Sequence, residues 1–205
     1  MQQQHNKAKR QPFIGWRLVV LTLLGVFALT TLLRATVLEI YTIPSNSMEP
    51  TLMTSEKILV NRLAYLGSEP ERGDLIVFDG RGSFAPYEGH QNPLQVIGEK
   101  AGELFGFAPA QGVFVKRVIA VGGDRIKCCS DEGQLLLNES PIMEEYLPED
   151  VRPSDTAFDM ELPPHRLWLM GDNRADSADS RDLLGAPGGG AVPVDRVIGQ
   201  VLGSE

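Results

Sequence analysis

Histidine and cysteine are scarce in this 205-residue chain. The three histidines, His5, His90 and His165, are scattered, and no spacing brings two of them to one metal ion. None has the surroundings of a triad member. The two cysteines, Cys128 and Cys129, are neighbours in sequence, a pair that bridges itself only with strain. No metal and no cofactor is expected. A basic surface is missing too: the formal net charge is −8, which argues against nucleic acid as a partner, because binding phosphates needs clustered lysine and arginine. Internal repeats are absent. With 42% hydrophobic and 22% charged residues, the composition is that of a globular chain, not a disordered one.

Glycine (21) and proline (14) are plentiful, more than suits a helical bundle and in keeping with a β-rich fold with many turns. The chain has one long apolar run, Leu18 to Leu33, which carries no charge. Counted from Phe13, with Arg17 snorkelling toward head groups, it gives about 30 Å of helix, enough to cross a bilayer. A cleavable signal peptide shares this layout. Here, however, Arg34, Glu39 and Tyr41 follow the run in place of a small-x-small site. The expected organisation is a cytoplasmic basic tail over 1–12, a transmembrane helix over 13–34 and an extracytoplasmic domain over 35–205. Lys7, Lys9 and Arg10 would hold the N-terminus inside.

Strand signals fill the rest: Lys57 to Arg62, Arg72 to Phe78 after a turn, Phe114 to Val121, a hairpin from Arg125–Cys128 and Gln134–Leu137, Leu167 to Met170, and Val194 to Val201. Residues 79–113 read as an inserted excursion with one short helix around Leu94 to Phe105. Residues 139–164, acidic and proline-rich, read as surface loops.

Between the apolar run and the first of these strands lies Tyr41-Thr-Ile-Pro-Ser-Asn-Ser-Met-Glu-Pro-Thr-Leu52. Pro44 and Pro50 pin φ on either side of two serines one residue apart. One hydroxyl can then act as nucleophile and the other as hydrogen-bond donor beside it. Without a histidine, Ser47 needs another base, and Lys116 is the candidate. Alternation puts Phe114, Lys116 and Val118 on one strand face, and burying that face would lower the amine's pKa. The opposite assignment, with Val115, Arg117 and Ile119 inward, buries a cation as well, so the strand alone leaves both faces open. Asp172, Arg174, Asp176, Asp179 and Arg181, with Ser177 and Ser180, follow Leu167 to Met170; by itself such a row suits a solvated, salt-bridged loop.

Taken in order behind an apolar N-terminal segment, Ser45-Asn-Ser-Met-Glu-Pro-Thr-Leu, Arg72-Gly-Asp-Leu-Ile-Val-Phe, Val115-Lys-Arg-Val-Ile and Gly171-Asp-Asn-Arg-x-x-Ser-x-Asp-Ser-Arg strongly resemble type I signal peptidase of the bacterial or organellar serine–lysine type. The resemblance covers most of residues 40–201. It implies a mostly β, signal-peptidase-type domain with one N-terminal transmembrane helix. It implies Ser47 as nucleophile, Lys116 as general base, and the Ser45 hydroxyl and Ser47 N–H as an oxyanion hole. Ser177 would orient the Lys116 amine, Asp179 and Arg181 would support that loop, and Met48 would help form the substrate pocket. The implied partners are preprotein signal peptides, the lipid bilayer and the protein-export machinery. The sequence departs from the family pattern at Asn46, where glycine is frequent, and at Ala120 and Gly122, where glycine and proline are usual. Residues 79–113 and 185–191 look like insertions. A membrane-tethered β scaffold without catalysis and a serine–lysine self-cleaving repressor are the other classes considered. The apolar run and the lack of a helix-turn-helix ahead of the protease argue against the second.

Overall fold

The uncharged run folds as one helix, α1 (Ile14–Val37), in a computed structural model of the chain. Residues 14–84, 112–148 and 150–204 are described; the helix expected around Leu94 to Phe105 and the basic residues Lys7, Lys9 and Arg10 lie outside them. Within α1 the hydroxyls of Thr22 and Thr30 donate back to the carbonyls of Leu18 (2.8 Å) and Val26 (2.9 Å), so neither needs an outside partner. Trp16, Leu18, Leu21, Leu24, Phe27 and Leu29 are all exposed, an apolar surface that continues around the helix. Among the described residues no helix is long and apolar enough to cross a membrane. The side chains described in α1 are those of residues 15–30 and Val37.

The chain divides at Val37, and residues 38–205 form a second, mostly β unit. Its larger sheet has seven antiparallel strands: β1 (Leu38–Thr42), β2 (Lys57–Asn61), β3 (Leu75–Asp79), β4 (Val113–Val121), β9 (Arg166–Met170), β10 (Val192–Pro193) and β11 (Val197–Ser204), in the order β1-β2-β11-β3-β4-β9-β10. The smaller sheet, β7-β6-β5-β8, joins β5 (Arg125–Cys128), β6 (Leu135–Leu137), β7 (Ser140–Pro141) and β8 (Phe158–Glu161). Period-2 patterning sets the inward faces: in β2, Ile58 and Val60 are buried between exposed Lys57 and Leu59. Gly73, at φ 91°, supplies the left-handed turn into β3. Register puts Lys116 opposite Ile76, and Arg117 opposite Leu75 on one side and Met170 on the other, in the middle of the sheet.

Three segments differ from the sequence reading. Residues 139–164 are not all surface loop: they supply β7 and β8 and bury Phe158 and Leu162. β1 was not anticipated; it is an edge strand, half-buried on alternate residues. The last strand starts later and runs further than expected, because a short 3-10 helix over Val194–Arg196 precedes it. Cys128 and Cys129 are joined by a disulfide across a cis peptide bond.

Ile119, Ile126, Leu135, Phe158, Trp168 and Met170 form one buried cluster, drawn from both sheets. The Trp168 and Phe158 rings lie 5.0 Å apart between centroids. Outside the core, Arg72 from the loop before β3 holds Asp124 in the β4–β5 turn through its Nε at 2.8 Å. Trp168 is fully buried, so Trp168→Ala should destabilise the β unit by about 3–5 kcal/mol, read as the shift in urea midpoint at constant m-value.

Candidate active site

After β1, residues 43–52 form a tight loop whose base is fixed by Ile43 N–H donating to Glu56 O (2.9 Å) and Ser55 N–H donating to Ile43 O (2.8 Å). Ile43, Met48 and Leu52 plug it into the core beside Ile58, Val60 and Val77. With its apolar residues anchored, the loop turns Ser45 and Ser47 outward. The Ser47 hydroxyl oxygen and Lys116 Nζ are 2.6 Å apart, and the Ser45 hydroxyl lies 3.3 Å from Ser47 Oγ.

Lys116 is 2% exposed. Its strand alternates as expected of the Phe114–Lys116–Val118 face: Phe114 and Val118 pack with Ile76 and Phe78, while Val113 and Val115 pack with Val77 on the other side. The remaining cation of the strand, Arg117, is placed by pairing with buried Asp172 through Nε (2.9 Å) and Nη2 (2.6 Å), with its guanidinium 3.9 Å above the Tyr146 ring. Burial lowers the Lys116 pKa to about 8; Asp179 and Asp172 pull it back upward, and Arg181 lowers it further.

Asp179 is the hub of the loop after β9. Fully buried, it accepts from Gly171 N–H (3.0 Å), the Ser177 hydroxyl (3.0 Å) and both Nε and Nη2 of Arg181 (2.8 Å each). Arg181 in turn donates to Arg174 O at 3.0 Å, and Arg174 pairs with Glu144 and donates to Pro153 O at 3.1 Å. The row of charges that by itself suits a solvated loop is thus largely a folded-in network: Asp172, Arg174, Asp179 and Arg181 are buried with partners, and Asp176 stays exposed.

This loop lies directly against the serine loop. Asn173 N–H donates to Ser47 O at 3.1 Å. A Cβ on Gly171 would collide with Ser47 O and the Ser177 hydroxyl, so only glycine fits where the two loops touch. Ser45, Ser47 and Lys116 are therefore brought together, and Ser177, Asp179 and Arg181 stand next to them. The Ser177 hydroxyl donates to Asp179 Oδ2 at 3.0 Å. Met48 is 1% exposed and lies within the core beneath the loop. The sequence reading assigned no role to Gly171, Asn46, Asn173 or Glu144; Gly171 and Asn173 were legible within the Gly171-Asp-Asn-Arg motif, but Glu144 sits in a stretch read as loop. Among the described residues no group of three His, Cys, Asp or Glu side chains is placed to hold a metal ion.

The profile described as "Signal peptidase, peptidase S26" matches residues 16–203. The chain is 35% identical to the probable signal peptidase I of Mycobacterium leprae, over 90% of this chain and 74% of that protein. It is 39% identical to signal peptidase I of Mycobacterium tuberculosis over 78% of this chain and 62% of the relative, and 32% identical to signal peptidase I U of Bacillus subtilis over 83% and 79%. From the helix to the last strand, the chain belongs to the signal peptidase family, peptidase S26.

Proposed function

We propose that this peptidase is a membrane-anchored serine endopeptidase that cuts signal peptides from exported preproteins after small-x-small (Ala-x-Ala-like) sites, with Ser47 as nucleophile and Lys116 as general base. The observation that carries the reading is the 2.6 Å approach of Ser47 Oγ to the amine of a buried lysine. A non-catalytic scaffold has no use for a desolvated lysine aimed at a serine.

With a pKa of about 8, roughly one Lys116 amine in ten is neutral at pH 7, compared with far fewer at the ordinary value of 10.5. The neutral amine takes the Ser47 hydroxyl proton as Oγ attacks the scissile carbonyl carbon. The oxyanion forms against the Ser47 N–H and the Ser45 hydroxyl, which swings from Ser47 Oγ to meet it. Collapse passes the proton from the Lys116 ammonium to the leaving amine and leaves an acyl group on Ser47. Water, deprotonated by Lys116, then releases the acyl product and restores the enzyme. Arg117–Asp172 and Asp179–Arg181 hold the strand and loop that carry these groups, and Met48 backs the serine loop from the core.

Support for anchoring comes from the sequence, where the run Leu18 to Leu33 carries no charge, and from the exposure of Trp16, Leu18, Leu21, Leu24, Phe27 and Leu29 along α1. The basic flank at Lys7 to Arg10 favours a cytoplasmic N-terminus, with the β unit outside. Ser47 follows Arg34 by 13 positions, which keeps it near the bilayer, at the height where a membrane-held preprotein offers its cleavage site. The export machinery is the natural source of such substrates.

Detergent-solubilised protein should convert a precursor with an Ala-x-Ala site to its mature form. Ser47→Ala and Lys116→Ala should each abolish conversion, and the double variant should be little worse than either single one. Activity of Lys116→Ala within threefold of the parent would exclude this base.

Stability should follow the same lysine in the opposite sense. Below about pH 8 Lys116 is charged both folded and unfolded, so folding carries the whole cost of burying that charge; lowering the pKa from 10.5 to about 8 corresponds to about 3 kcal/mol. Between about 8 and 10.5 the unfolded chain binds more protons than the folded one, so stability rises with pH; above 10.5 the cost is gone. Lys116→Met should therefore be inactive yet more stable, with a gain that is largest below pH 8 and fades toward 10.5 in urea titrations across pH.

Arg181→Ala removes a charge that lowers the Lys116 pKa and leaves Asp179 without its guanidinium partner. The acidic limb of kcat/KM should move to higher pH. A limb that stays in place would leave burial as the sole tuning influence.

A further inference from the structure

Asn46 sits between the two serines, so its backbone sets the angle between the Ser45 hydroxyl and the Ser47 N–H. Its own side chain is not idle. Asn46 Nδ2 donates to Asp176 Oδ2 at 2.7 Å, across to the loop that carries Ser177 and Asp179. Asn173 Nδ2 returns a bond to Asn46 O at 3.2 Å, beside the Asn173 N–H bond to Ser47 O. Asp176 N–H donates to Asn173 O at 3.1 Å, which closes a turn between the two residues that grip the serine loop. Two of the three cross-loop bonds run through Asn46, and the one to Asp176 is charge-assisted.

We propose that Asn46 and Asp176 form a clasp that positions the oxyanion donors relative to Lys116. A glycine between the serines leaves that peptide free to rotate; asparagine fastened at its far end does not. The two bonded loops bring the nucleophile and the Asp179 network to one fixed spacing, with bare Gly171 between them. Asn46 and Asp176 are thus positioning residues: neither need touch the reacting atoms. An exposed bond of this kind adds little to global stability, but a small displacement of an oxyanion donor is felt strongly in the rate. The inference rests on the serine–lysine reading above.

The test is a double-mutant cycle on precursor processing, with deuterium exchange of the segment 45–52 followed in parallel. Asn46→Ala and Asp176→Ala should each lower kcat by roughly 10-fold with KM within about threefold, and the double variant should match the singles, because one bond is lost in all three. Asp176→Asn keeps a carbonyl oxygen for Asn46 and should recover most of the rate. Exchange over 45–52 should speed up in both alanine variants while the unfolding midpoint holds. An Asn46→Ala kcat within twofold of the parent, losses that multiply in the double variant, or unchanged exchange would each overturn the clasp. Should the parent itself fail to process the precursor, the serine–lysine reading falls, and exchange alone still decides whether the clasp orders the serine loop.

Discussion

A lysine amine kept out of water and within hydrogen-bond reach of a serine is the constraint that the rest of the β unit serves. Lys116 can be placed so deep only because β4 is an inner strand, flanked by β3 and β9, with Ile76 opposite and apolar neighbours above and below it. The cost of burying its charge opposes folding, and the apolar clusters on both faces of the sheet must offset it. The carboxylates nearby could undo the arrangement by holding the ammonium charged. The two with the largest influence are each paired with another cation: Asp179 has Arg181, and Asp172 has Arg117. The ion pairs around the site are thus a means of keeping negative charge occupied elsewhere, more than a source of stability.

The serine loop obeys a second constraint. In the proposed reaction it must be rigid without being buried, since a nucleophile has to meet substrate. Its apolar residues Ile43, Met48 and Leu52 are sunk into the core, and its polar residues Ser45 and Asn46 stay at the surface. Rigidity at the surface then has to come from bonds to another loop, and the Asn173 and Asn46 contacts supply them.

Much of this was legible in the chain as written. The strands β2 to β6 and β9 announce themselves as short apolar runs, several beside glycine turns, and the pairing of Ser47 with Lys116 came from the shortage of histidine, a lysine inside an apolar strand and the resemblance of the motifs to type I signal peptidase. What the strand could not say was which face turns inward, because Lys116 and Arg117 put a cation on each; the answer lay in Asp172 and Tyr146, far along the chain, which take up Arg117. β7 and β10, of two residues each, escaped for want of length, whereas β1 and β8 lie in stretches read as a membrane-proximal segment and an acidic loop. The link from Glu144 to Arg174 escaped for a different reason: an acidic residue in an acidic stretch carries no mark of being the one that is buried.

The carbonyl of Pro153 accepts from Arg174 Nη1 at 3.1 Å and from Arg181 Nη1 at 3.4 Å. A single backbone oxygen from the connection between β7 and β8 therefore serves both arginines of the loop after β9, and Glu144, from the same connection, supplies the counter-charge of one of them. Anyone trimming this enzyme toward a minimal protease would be tempted to discard the smaller sheet, which contributes no reacting atom. Doing so would take Glu144 from Arg174 and the shared Pro153 carbonyl from both guanidiniums at once, so a shorter chain that holds the loop after β9 in place must keep this connection.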